Sequence, residues 1–313
     1  MPPIISRAAW GADESIRRRA ALVAPDLRLT FVHHTATAND YPPEQSAAIV
    51  RSIYAYHVRH NGWNDIGYAF LVDRYGQIFE GRAGGVEQAI VGAHAQGFNT
   101  GSVGIALIGN GSLEPITPAA RSSLVQLLTW RLDLAHLDPL ARSSVTSRGN
   151  PRFPAGTTVA LRTISGHRDV DATGCPGDLV EPELDAIARE VAAAPVPRIV
   201  SPRIGRLADG SIHLSARLLA ASAWTITLLD AAGAPVATTA GAGPAVEWIS
   251  PPGTATSWRI EAVSPSGEPA RAATGRLSGG PAPPPIGLTA APGLISPDGD
   301  GVADTATKHF LTH

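Results

Sequence analysis

The apolar positions between residues 29 and 193 change period several times, and each change predicts an element. Leu29-Thr30-Phe31-Val32 is a short β-rich run ending in His33-His34-Thr35, which predicts a strand. Ile49, Val50, Ile53, Tyr54 and His57 then recur at helical spacing behind Pro42-Pro43, and Asn61-Gly62 stops that helix. Trp63 to Val72 reads as extended. Arg74-Tyr75-Gly76 supplies a turn, and Gln77 to Glu80 returns as a hairpin partner. Beyond a glycine-containing loop at 83–88, Ala89 to His94 and Val103 to Ile108 are two more strand candidates. Thr117-Pro118 caps and opens a long helix whose buried stripe is Leu124, Leu127, Leu128 and Leu132. Thr163 to His167 is a last strand, and Leu179 to Ala193 a closing helix. Residues 1–28 predict an irregular arm carrying Trp10. Strands alternating with helices over residues 1–193 predict an α/β unit with a mixed central sheet flanked by helices.

At Ala194-Pro195-Val196-Pro197 the pattern changes. Helical periodicity gives way to short β-rich runs at His213–Leu218, Trp224–Leu229, Val246–Ile249 and Trp258–Val263, separated by Gly/Pro/Ser turns. Residues 194–282 are therefore expected to form an all-β sandwich of immunoglobulin-like type. Residues 283–313 read as a linker and the start of a truncated further β module.

Composition narrows the possibilities. The chain has 313 residues, 44% of them hydrophobic and 17% charged, enough for two domains with real cores. A net charge of -2 gives no electrostatic case for a nucleic-acid partner, and Arg17 to Arg19 reads as a solvated patch. No apolar run is long enough to span a membrane. The first residues lack the basic start and apolar core of a signal peptide, so the protein is either cytosolic or begins after a removed signal. A monomer is expected.

There is one cysteine, so no intrachain disulfide forms. It lies in Gly166-His167-Arg168-Asp169-Val170-Asp171-Ala172-Thr173-Gly174-Cys175-Pro176-Gly177, on a turn rather than inside a helix. A lone Cys eight residues after a His has three readings: a small buried hydrophobe, a nucleophile with His167 as base, or part of a metal site. His33, ending a strand, could supply a third ligand. His34 would face the other side of that strand. His57 and His60, near a helix end, need no more than a favourable dipole interaction, and His136 and His213 read as solvated. Glu80 and Arg82 read as a structural pair. The aspartates Asp298, Asp300 and Asp304 suggest a calcium loop, but His309 stands where an EF-hand needs Glu and Val302 occupies a ligand position.

Six segments, taken in order, carry a resemblance. They are His33-His34-Thr35-Ala36, Gly62-Trp63-Asn64-Asp65-Ile66-Gly67-Tyr68, Glu80-Gly81-Arg82, Gly92-Ala93-His94, Val103-Gly104-Ile105 and the Gly166–Gly177 loop. Together they resemble the peptidoglycan recognition proteins, the type 2 N-acetylmuramoyl-L-alanine amidases, over roughly residues 5–193. The resemblance implies Zn2+ held by His33, His167 and Cys175, with Tyr68 and Thr173 as catalytic residues. It implies a substrate groove lined by His34, Thr35 and His94. We expect Trp63 and Arg82 to flank that groove, although packing and an ion pair account for both without it. The implied reaction is hydrolysis of the amide between the lactyl group of muramic acid and L-alanine, with peptidoglycan or muropeptide as partner, in a secreted or cell-wall setting. A relative that binds muropeptide without cutting it is the alternative. Residues 83–88, Ala-Gly-Gly-Val-Glu-Gln, depart from the Gly-Trp usual in animal members and resemble bacterial ones. The β module is similar to the immunoglobulin-like domain of flagellar hook-cap proteins.

Overall fold

The computed structural model describes residues 1–277 and, farther on, the paired two-residue strands Ala290–Ala291 and Thr307–Lys308. Asp298, Asp300 and Asp304 lie outside the described residues.

The N-terminal arm is tied down. Ser6 caps a single helical turn, α1 (Arg7–Trp10), and buried Trp10 donates its indole N–H to the Glu80 carbonyl at 2.7 Å. Five strands form the central sheet: β1 (Leu29–His34), β2 (Phe70–Val72), β3 (Ile78–Glu80), β4 (Ser102–Leu107) and a fifth (Ile164–Gly166). Their order is β3-β2-β4-β1 and then the fifth strand; the pairings are parallel except β2 with β3. Helix α2 (Ser46–Ala55) lies on one face and continues through a wide π turn at Tyr56–His60. Helix α3 (Pro118–Leu134), capped by Thr117, and helix α4 (Leu184–Ala192) cover the other. The polar hairpin β5 (Arg142–Thr146) and β6 (Thr158–Arg162) lies between α3 and the fifth central strand, which is β7.

Period-two alternation assigns each strand residue to a face. Val32, Val103, Ile105, Leu107, Phe70 and Val72 pack under α3 and α4 in one core cluster. On the opposite face, Phe31 and His33 of β1 stand beside Gly104 and Ala106 of β4 in register. Small β4 residues leave room above this face, and the site is built there.

Two strand expectations in this part of the chain need correcting, and one hairpin is additional. Ala89 to His94 is not a strand: Ile90 makes a single bridge to Val23, and the chain turns away because Asn99 Oδ1 accepts the backbone N–H groups of His94 and Ala95. Of Trp63 to Val72, Phe70–Val72 is strand, and the residues before it are irregular. The β5–β6 hairpin was not expected; its exposed faces are polar, with Val145 and Leu161 buried beneath.

Beyond residue 197 the chain is strand-rich. Strands β8 (Ile199–Arg206), β9 (Ile212–Leu229), β10 (Pro235–Ile249), β11 (Ser257–Val263) and β12 (Ala273–Arg276) form one antiparallel sheet around a core of Ile212, Leu214, Ile226, Trp258 and Ile260. The two runs expected at 213–218 and 224–229 are one strand, whose first part pairs with β8 and whose last part pairs with β11. This sheet rests on the end of α3. Arg217 pairs with Asp138, Arg271 with Asp133, and the Ser201 N–H donates to the His136 carbonyl at 2.7 Å. His136, expected in solvent, is half-buried, with Nδ1 at 2.9 Å from the Ile199 carbonyl. No helix of the described residues is long and apolar enough to cross a membrane.

Candidate metal centre

Two parallel neighbours, β1 and β7, deliver His33 and His167 at their carboxyl ends, the side of an open α/β sheet where ligand sites form. The loop after His167 then returns Cys175 to the same place. The Arg168 N–H donates to the Cys175 carbonyl at 3.0 Å, and its guanidinium binds Asp178 and the Gly174 carbonyl. Thr173 Oγ1 accepts the Cys175 N–H at 3.2 Å. Arg162 clamps the base of the loop through Asp169, Glu181 and Asp185.

The nitrogen and sulfur ligand atoms of His33, His167 and Cys175 lie within 4.8 Å of one another. His33 Nδ1 is 3.6 Å from Cys175 Sγ, and the His34 N–H donates to that sulfur at 3.4 Å. Among the described residues this is the one group of three or more His, Cys, Asp or Glu side chains so arranged. Burial, then the other histidines nearby, pushes the His33 pKa well down, and burial lowers that of His167. Both imidazoles are thus uncharged and free to ligate. Burial pushes the Cys175 thiol up to about 12, while the His34 N–H and the Arg168 charge pull it back, so the sulfur keeps its proton and is a poor nucleophile unless a cation stands beside it. An amide donor on the sulfur and two neutral imidazoles fit a zinc ion, which takes this donor set.

The other expected residues divide. Tyr68 is half-buried, its ring 5.2 Å from that of His33; burial, then the Cys175 charge, raises its pKa, so the hydroxyl keeps its proton. Thr173 reaches the centre only through the Cys175 backbone. His34 Nδ1 accepts the Gly111 N–H, and Thr35 Oγ1 accepts that of Gly109, so both side chains hold the loop after β4. Trp63 lies against His57 at 4.6 Å between ring centroids, and Arg82 donates to the Ile66 carbonyl. Arg82 does not pair with Glu80, whose carboxylate accepts the Arg7 N–H.

Two histidines are more buried than expected. His94 is no open groove residue: it is 7% exposed and lies behind His33. His57 does stand near the helix end, but more than a dipole interaction holds it. It is buried in the π turn, where Nδ1 accepts the Gly67 N–H, and burial with Arg82 lowers its pKa to about 4. Sequence reading missed Asp171, whose Oδ2 is 3.6 Å from His167 Nε2, although its place four residues after a candidate ligand was a usable signal.

Residues 24–178 match the N-acetylmuramoyl-L-alanine amidase family. The chain is 33% identical over 176 residues to peptidoglycan-recognition protein SC2 of Drosophila melanogaster, covering 56% of this chain and 80% of that protein. It is 35% identical over 181 residues to the N-acetylmuramoyl-L-alanine amidase of Homo sapiens, covering 56% of this chain and 27% of that protein. A solved structure of peptidoglycan recognition protein-LE in complex with tracheal cytotoxin overlaps 59% of this chain and 94% of its own, at 25% identity and a TM-score of 0.47.

Proposed function

The chain belongs to the family of peptidoglycan-recognition proteins and N-acetylmuramoyl-L-alanine amidases, and from that premise we propose that it is a zinc-dependent amidase of peptidoglycan. The scissile bond is the amide between the lactyl group of N-acetylmuramic acid and L-alanine. The observation that carries this reading is the convergence of His33, His167 and Cys175, with the Tyr68 ring beside His33. Zinc held by these three residues would supply a Lewis acid that acidifies water and polarises the substrate carbonyl.

The chain's own residues do the rest. His33 and His167, held neutral, keep their lone pairs available, and the His34 N–H stabilises Cys175 as thiolate. Tyr68, held protonated, donates to the developing oxyanion or to the leaving amine. Thr173 holds Cys175 in place. Trp63, lying against His57, and Arg82, whose backbone N–H donates to the Tyr68 carbonyl, are the groove residues of this proposal. We place this activity outside the cell membrane, at the wall, and read residues 194–282 as an immunoglobulin-like accessory module.

The test couples metal analysis to digestion of purified sacculi. The wild type is expected to hold one zinc per chain and to release stem peptides detected by mass spectrometry; Cys175→Ser should lose both. Lysis retained in Cys175→Ser overturns the mechanism, and sacculus binding without peptide release assigns a recognition role instead.

A further inference from the structure

We propose that His94 is a positioning residue of the metal centre, fixing the tautomer and orientation of His33 so that Nδ1, not Nε2, presents its lone pair at the metal position. The inference rests on the zinc reading above only for what His33 holds.

A chain of contacts fixes the proton of each ring in turn. The Ser102 hydroxyl lies 2.7 Å from the Phe98 carbonyl and 3.2 Å from that of Asn99. Carbonyls only accept, so the hydroxyl proton is committed to them. Ser102 Oγ then offers a lone pair to His94 Nε2 at 3.5 Å, which places the imidazole proton of His94 on Nε2. His94 Nδ1 is left bare, 3.1 Å from His33 Nε2, and His33 must donate there. An uncharged imidazole has one N–H, so His33 Nδ1 is bare, and it is this atom that faces Cys175 Sγ at 3.6 Å.

The fold builds a slot for this one ring. A Cβ added at Gly104 would stand 2.5 Å from His94 Cδ2 and 2.9 Å from Nδ1, and one added at Gly92 would collide with Cδ2 of the same ring. Phe31 closes a third side, its ring centroid 5.9 Å from that of His94. Asn99 Oδ1 pins the His94 backbone by accepting its N–H at 2.8 Å. Gly92, His94, Asn99, Ser102 and Gly104 thus serve one purpose, the aim of His33.

The test uses the full chain. In the metal-free wild type, long-range proton–nitrogen NMR correlations should show His33 protonated at Nε2. Zinc affinity, measured by competition with a chromophoric chelator, should fall about 10–100-fold in His94→Phe. It should recover largely in His94→Asn, whose side-chain carbonyl stands near the place of Nδ1. Absorption of the cobalt-substituted protein should shift in the Phe variant and return in the Asn variant. A His33 protonated at Nδ1 in the wild type, or a folded His94→Phe with unchanged zinc affinity, overturns the proposal. If His94→Phe does not fold, the wild-type tautomer decides. A wild type that takes up no zinc yet carries the Nε2 proton defeats the amidase reading and leaves the inference on His33 standing.

Discussion

Gly104→Ala adds one methyl group at the centre of the sheet, and the surroundings leave it nowhere to go. The new Cβ would lie 2.5 Å from His94 Cδ2 and 2.9 Å from Nδ1, well inside contact distance. The backbone cannot retreat: β4 is paired on both sides, with Gly104 opposite Phe31 and its carbonyl accepting the Ala69 N–H at 2.9 Å. His94 must therefore leave its slot. Overpacking of this kind costs about 1–3 kcal/mol, and the lost His33–His94 hydrogen bond adds about 1 kcal/mol. For a unit of this size, a loss of that order lowers the melting transition by roughly 5–15 °C. The assay is calorimetry of the metal-free protein, paired with the chelator competition. Gly205→Ala serves as control, because a Cβ there meets nothing within 4 Å. If Gly104→Ala melts within a degree of the wild type and binds zinc equally well, the reasoning about this slot is wrong.

Other outcomes follow from the same geometry. Tyr68→Phe removes the hydroxyl and leaves the ring beside His33, so zinc affinity should hold while kcat on muropeptides falls about 10²–10³-fold; an equal loss of metal would point to a structural role. His57 has its folded pKa lowered to about 4 by burial and Arg82, so the unfolded chain takes up the extra proton first as pH falls. Its contribution is complete above about pH 6.5 and is lost on acidification toward about pH 4, up to about 3 kcal/mol in all. Denaturant titrations across that window should show a shallower pH slope in His57→Gln, and an unchanged slope would remove His57 from the account. Arg162→Met leaves Asp169, Glu181 and Asp185 facing one another, so stability should fall by about 1–3 kcal/mol. Zinc affinity should weaken with it as the loop between His167 and Cys175 loosens; affinity maintained despite that loss would show the loop to be held otherwise.

The local pattern was enough for much of this molecule. Leu29 to His33 alternates over a strand, so His33 and His34 had to face opposite ways, and they do: one into the centre, the other onto the loop after β4. The Thr117 cap of α3 and the buried stripes of α2 and α3 are short-range features, written within a few turns of chain. The turn carrying Cys175 was legible because proline and glycine act locally. What only the tertiary structure decided depends on partners distant in sequence. Tyr68 lies in an irregular segment that no period describes, and it reaches His33 because β2 and β1 flank the same strand. His94 read as a groove residue, since nothing near it in sequence reveals a ring from 61 residues away or a glycine on β4 shaped around it. The β5–β6 hairpin escaped notice because its apolar content is too small to impose a period, and the elements beneath it stabilise it instead. Periodicity assigns a residue to a face, whereas the orientation of an imidazole, and with it the nitrogen that meets a metal, depends on contacts that close only when the whole sheet assembles.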